Sequence, residues 1–78
     1  MTAAPTVTLA TGEVVPSNSP QWRDECFARW ERVVRMRAMS IHGRRALLDE
    51  VERNEGAEAR RRLENSFRDD WGARKGTP

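Results

Sequence analysis

Three punctuation points cut residues 20 to 71 into stretches that suit helices, and they constrain the chain more than any other feature. Ser19 followed by Pro20 offers a hydroxyl at an N-cap and a proline at the first helical position. Ser40 offers a second cap, and Asn54-Glu55-Gly56 supplies residues that tolerate a left-handed backbone where a helix must stop. Between these points apolar residues recur at three- and four-residue spacing, which predicts helices over about 20–39, 41–53 and 57–71.

Ahead of the helices, the run Thr6 to Val15 places β-branched residues on both sides of Thr11-Gly12 and reads as a short hairpin over residues 6–16. A two-stranded ribbon is marginal in water, so it either docks on the helices or stays partly loose. The expected fold is mainly α, a short N-terminal β-hairpin followed by a three-helix bundle. A chain of 78 residues has room for one modest core, so a single domain is expected over residues 6–72. Residues 1–5 read as a disordered N-terminus and residues 73–78, beyond Gly72, as a flexible tail.

At 100° per residue, Trp22, Cys26, Phe27, Trp30, Val33 and Val34 fall within one arc of the first helix, opposite Asp24, Glu31, Arg32 and Arg35. The second helix lines up Ile41, Leu47, Leu48 and Val51, and the third carries Ala59, Leu63, Phe67 and Trp71 at four-residue spacing. The three Trp residues are first of all core fillers. If the core is too small to cover them, a Trp exposed beside an Arg has the make-up of a protein-binding hot spot.

Groups suited to catalysis are sparse. Cys26 is the sole cysteine, so it forms no disulfide within the chain, and with His42 as the sole histidine it makes no zinc site. Set in the apolar arc with no base beside it, Cys26 reads as a small core hydrophobe. The chain is therefore not expected to be an enzyme, and no catalytic residue, metal or cofactor is expected. One unpaired thiol, no apolar leader and no stretch long enough to span a bilayer point to a reducing, cytoplasmic setting without membrane partners.

Fourteen basic and 12 acidic groups leave a net charge of +2, a field too small to announce nucleic acid by itself. Much of the charge can be absorbed in four-residue pairs on helix faces: Glu25 with Arg29, Glu31 with Arg35, Arg45 with Asp49, Asp49 with Arg53, Glu58 with Arg62, Arg60 with Glu64 and Glu64 with Arg68. The run Arg60-Arg61-Arg62 spreads over about 200° of a helix. It is read as a solvated face.

Four charged residues interrupt the apolar arcs: Arg23 and Arg37 on the first helix, Arg44 on the second and Asp70 on the third. The arginines can snorkel to water along their aliphatic stems. Alternatively Asp70 pairs with one of them across the bundle, or Arg37 and Arg44 face a partner's acidic or phosphate groups across the turn at residues 39–44. The residues expected to contact a partner are Arg37, Arg44, Arg45, Arg23 and Trp30.

Two functional expectations follow. The first is a non-enzymatic module that binds another protein or protein complex. The second is a small dimeric DNA-binding regulator, a homodimer, that presents Arg44 and Arg45 from the helix starting near Ile41. Against the second, residues 40 to 55 carry Asp49, Glu50, Glu52 and Glu55 against Arg44, Arg45 and Arg53, a poor balance for a groove lined with phosphates.

The hairpin-like opening, the helix start Trp22-Arg23-Asp24-Glu25-Cys26 and the segment Arg44-Arg45-Ala46-Leu47-Leu48 together resemble small proteins encoded in bacteriophages and prophages. The likeness spans roughly residues 6 to 71, with Phe27 to Met39 longer and more aromatic than the pattern. It implies a phage origin and no assigned chemistry. By analogy of size and origin alone, it suggests an inhibitor of a host complex such as a CRISPR effector, in the manner of anti-CRISPR proteins.

Overall fold

In the computed structural model, which describes residues 4–75, two short strands precede three helices: β1 (Thr6–Thr8), β2 (Val14–Pro16), α1 (Pro20–Arg37), α2 (Ile41–Glu55) and α3 (Ala57–Lys75). The expected hairpin and three helices are all present. Residues 1–3 and 76–78, the outer parts of the expected disordered N-terminus and tail, lie outside the described residues.

β1 and β2 pair antiparallel with Val7 opposite Val15. The ladder closes through Leu9 N–H to the Glu13 carbonyl at 2.8 Å, leaving the three-residue loop Ala10-Thr11-Gly12, and Gly12 holds φ +95°. That is the loop position where three-residue hairpins favour glycine. Leu9 and Val15 are buried, and β2 lies against α1. The hairpin is docked.

Both predicted caps operate. Ser19, extended at φ −76° and ψ 152°, accepts from Trp22 N–H ahead of Pro20, and Ser40 accepts from Gly43 N–H at 3.2 Å. α1 ends at Arg37, two residues earlier than expected, because Ala38 and Met39 bond back three residues to Arg35 and Met36 and tighten the last turn. α2 runs two residues further than expected, to Glu55, because Asn54 stays helical and Gly56 alone makes the break at φ +99°. No linker separates α2 from α3.

Gly56 therefore sets the angle between two helices by itself, in a backbone region that side chains disfavour. A Cβ there meets nothing within 4 Å, so a substitution acts through strain rather than collision. Gly56→Ala is expected to destabilise the fold by about 1–3 kcal/mol. A urea melt unchanged by the substitution would contradict this.

α3 passes through Gly72 and continues to Lys75, four residues beyond the expected helix end at residue 71. Glycine in a helix interior costs about 1 kcal/mol. Here the last turns are held by Arg74 on Asp70 at 3.1 Å and by arginines resting on Trp71.

α3 packs on both α1 and α2 and is the centre of the fold. Four side chains form the buried cluster, Val33, Met36, Val51 and Leu63, with Leu47, Leu48, Ala59 and Phe67 partly buried around it. The expected α1 core is corrected: Phe27, Trp30 and Val34 are exposed, while Met36, outside the expected arc, is buried. The molecule measures 47 × 36 × 15 Å, and its radius of gyration of 14.2 Å exceeds the roughly 11.5 Å of a compact domain of this length. It is a thin layer of helices with too little depth to enclose its aromatic side chains.

Candidate functional site

The last turn of α1, the first turns of α2 and the last turns of α3 meet at one end of the layer. Arg37, the final residue of α1, donates Nη2 and Nε to the two Asp70 carboxylate oxygens of α3 at 2.7 and 3.1 Å. Its guanidinium lies 5.0 Å from the centre of the Trp30 ring. Of the alternatives open for Asp70 and Arg37, the pair across the bundle is the one formed. The two hydrogen bonds from Arg37 hold the Asp70 carboxyl below its usual range against the opposing effect of burial, and Arg74 adds to them.

Arg44, one turn into α2, does not snorkel outward. Its guanidinium sits 5.0 Å from the centre of Phe67 and 5.9 Å from that of Trp71, and Arg74 approaches Trp71 from 5.7 Å. Arg44 Nε is buried with no hydrogen-bond partner. Trp71 thus lies against two cations and Trp30 against one, although 46% and 51% of their surfaces remain exposed.

Of the residues expected to contact a partner, Trp30, Arg37, Arg44 and Arg45 are thus gathered at this end. Arg44 and Arg45 line a groove of about 440 Å³ between α2 and α3. Arg23 is exposed near the other end of α1 and does not join them. Trp71, Ile41 and Arg68 belong to the surface but are not among the five residues expected to contact a partner. For Ile41 the signal was available, since an apolar residue directly after an N-cap has only half a turn of neighbours to cover it.

At the opposite end the charges bind the fold together. Glu25 accepts the Ala10 N–H at 2.7 Å, Arg29 at 3.2 Å and Arg62 at 2.7 Å, and Arg62 also donates to the Thr8 carbonyl at 2.8 Å. One carboxylate and one guanidinium therefore join the hairpin, α1 and α3. Arg60 reaches Asp49 of α2 at 2.7 Å as well as Glu64, and Arg32 of α1 pairs with Glu55 of α2. The reading of Arg60-Arg61-Arg62 as a solvated face is corrected for Arg60 and Arg62, which cross between elements, and holds for Arg61 on Glu58.

Burial raises the Glu25 pKa, but the Ala10 N–H, Arg29 and Arg62 outweigh it and the net shift is downward. Hydrogen bonds from Arg61 and Arg62 lower Glu58 to about 2. A carboxyl depressed in the fold stabilises it fully above the unfolded pKa of about 4 and less as the pH falls through the folded value. Acid unfolding followed by circular dichroism should therefore show a flat baseline above about pH 5 and a loss between about pH 4 and 2. Unfolding that begins above that window would contradict these pairings.

Cys26 is half-buried with Arg29 Nη2 at 3.7 Å from its sulfur. Among the described residues no helix is long and apolar enough to cross a membrane. No family model, curated protein or solved structure matches the chain.

Proposed function

We propose that the protein is a non-enzymatic binding module that engages another protein through the surface where the end of α1, the start of α2 and the end of α3 meet. The observation that carries this reading is the pair of half-exposed tryptophans, Trp30 and Trp71, each braced by arginine. Tryptophan and arginine dominate protein-binding hot spots, and a ring already held in place loses little freedom on binding. The thinness of the layer supports the same reading, because a partner laid on it supplies the apolar cover that the chain lacks.

The likeness to phage-borne proteins directs the search to complexes of the host cell, CRISPR effectors among them. A nucleic-acid role for α2 is less well supported, since its exposed residues include Asp49, Glu50 and Glu52 beside Arg45 and Arg53.

Affinity capture from host extract treated with nuclease tests the reading. A protein complex should be retained by the natural chain and lost with Trp30→Ala and Arg45→Ala combined, two exposed positions whose change leaves the core intact. Capture that disappears with nuclease, or that survives both substitutions, would overturn it.

A further inference from the structure

The groove between α2 and α3 has the form of a seat for a third helix. Its α2 wall presents Ile41, Arg44, Arg45 and Leu48, spaced at 0, 3, 4 and 7 residues, and its α3 wall includes Phe67, Arg68 and Trp71. Two such stripes side by side leave a trough that a helix about 10 Å across can fill. The floor is apolar, with Met36 beneath, and Ile41 at its mouth is 62% exposed.

The charges around this floor are unbalanced. Arg44, Arg45, Arg60 and Arg68 line the groove against one carboxylate, Glu64, and Arg60 already occupies Glu64 at 2.7 Å. Among the described residues, the side chains of Arg44, Arg45 and Arg68 have no ion-pair partner within the chain. The four-residue pairs expected for Arg45 with Asp49 and for Glu64 with Arg68 do not form. Asp49 and Glu64 are drawn to Arg60 instead. Arg44 has the further peculiarity of a buried Nε without an acceptor, so no group among the described residues answers its charge at that atom.

We infer that the α2–α3 groove binds an acidic amphipathic helix of a partner protein, with apolar residues on the floor between Ile41 and Trp71 and carboxylates against Arg44, Arg45 and Arg68. This rests on the protein-binding reading above and specifies the partner's chemistry. Nucleic acid fits less well, because it offers phosphates but no apolar ridge for the floor. A second copy of the chain fits less well too. Its own exposed apolar stripe, Phe27, Trp30 and Val34, is flanked by Arg32 and Arg35 as well as Glu31, so a single carboxylate with cations beside it would face the three unpaired arginines.

The test uses a synthetic helical peptide about four turns long, with leucines at positions 1, 4, 5 and 8 and glutamates flanking them. Its lysine-flanked counterpart and a DNA duplex serve as controls. Binding is followed by calorimetry, and by Trp71 fluorescence in a Trp22→Phe/Trp30→Phe background. The acidic peptide should bind, with affinity falling at least about tenfold when Arg44, Arg45 and Arg68 are all changed to Gln, and falling with added salt. Circular dichroism of that variant verifies that it folds, and Arg45→Gln/Arg68→Gln, which spares the stacked Arg44, should show a smaller loss in the same direction.

Equal binding of both peptides, tighter binding of DNA, or dimerisation of the chain through this groove would overturn the inference. If the peptide fails while nuclease-resistant capture still depends on Trp30 and Arg45, the groove assignment falls and the protein-binding reading stands. If capture also fails, both fall.

Discussion

Leu63→Ala should leave much of the chain unfolded at room temperature. Leu63 is 1% exposed and lies on α3, the helix on which both others pack, in a buried cluster of only four side chains. Truncating a buried leucine costs about 2–5 kcal/mol. A domain of this length has on the order of 4–12 kcal/mol in total, and a thin layer belongs at the lower end. Urea melts followed by circular dichroism check this, with Val14→Ala, an exposed strand position, as a substitution that should hardly move the midpoint. A Leu63→Ala melt that matched the natural protein's would mean that the three helices are not held by this cluster.

Glu25→Ala should have the next largest effect, and a more local one. Three donors converge on its carboxylate, from the hairpin loop, from α1 and from α3. Hydrogen bonds to a charged group contribute about 1.5–3 kcal/mol each at most, and the arginines recover part of that by turning to water, so a net loss of about 2–3 kcal/mol is expected. Hydrogen exchange should localise it, with amides of residues 6–16 losing protection before those of α2. Glu25→Gln keeps an acceptor for Ala10 and should lose less. Uniform loss of protection along the chain would show that Glu25 supports the helices rather than the seating of the hairpin.

The helix starts were legible in the sequence because Ser19, Pro20 and Ser40 act within a few residues of themselves. Gly12 and Gly56 were legible for the same reason, each marking a positive φ that the structure uses. The face of α1 was not. Apolar residues alone centre its arc between Cys26 and Trp30, whereas the packed face is turned by roughly a quarter of a revolution toward Met36 and includes Glu25 and Arg29. Those two charges enter the packed side because each meets an opposite charge there, a fact that depends on Arg62 some 37 positions from Glu25 along the chain. The same rotation exposes Phe27, Trp30 and Val34.

The candidate surface was legible in part. Arg37, Arg44 and Asp70 stood out by breaking apolar arcs, and such breaks mark places where local pattern yields to a pairing or a partner. Which of the arginines meets Asp70 depends on the helix ends converging, which no spacing within one helix encodes. The Arg60-Arg61-Arg62 run illustrates the converse. Its four-residue partners are real for Arg60 and Arg62, yet both arginines also reach other elements, and by taking Asp49 and Glu64 Arg60 leaves Arg45 and Arg68 without ion-pair partners among the described residues.

The most direct test of the central claim, that the convergent helix ends form a protein-binding surface, is the hydrogen-exchange footprint of the chain with its captured partner bound. Added protection should fall on the last turn of α1, the first two turns of α2 and the last turns of α3, and should spare the hairpin and the stretch from Asp49 to Glu55. Protection confined to that acidic stretch or to the hairpin, or absent from the helix ends, would contradict it.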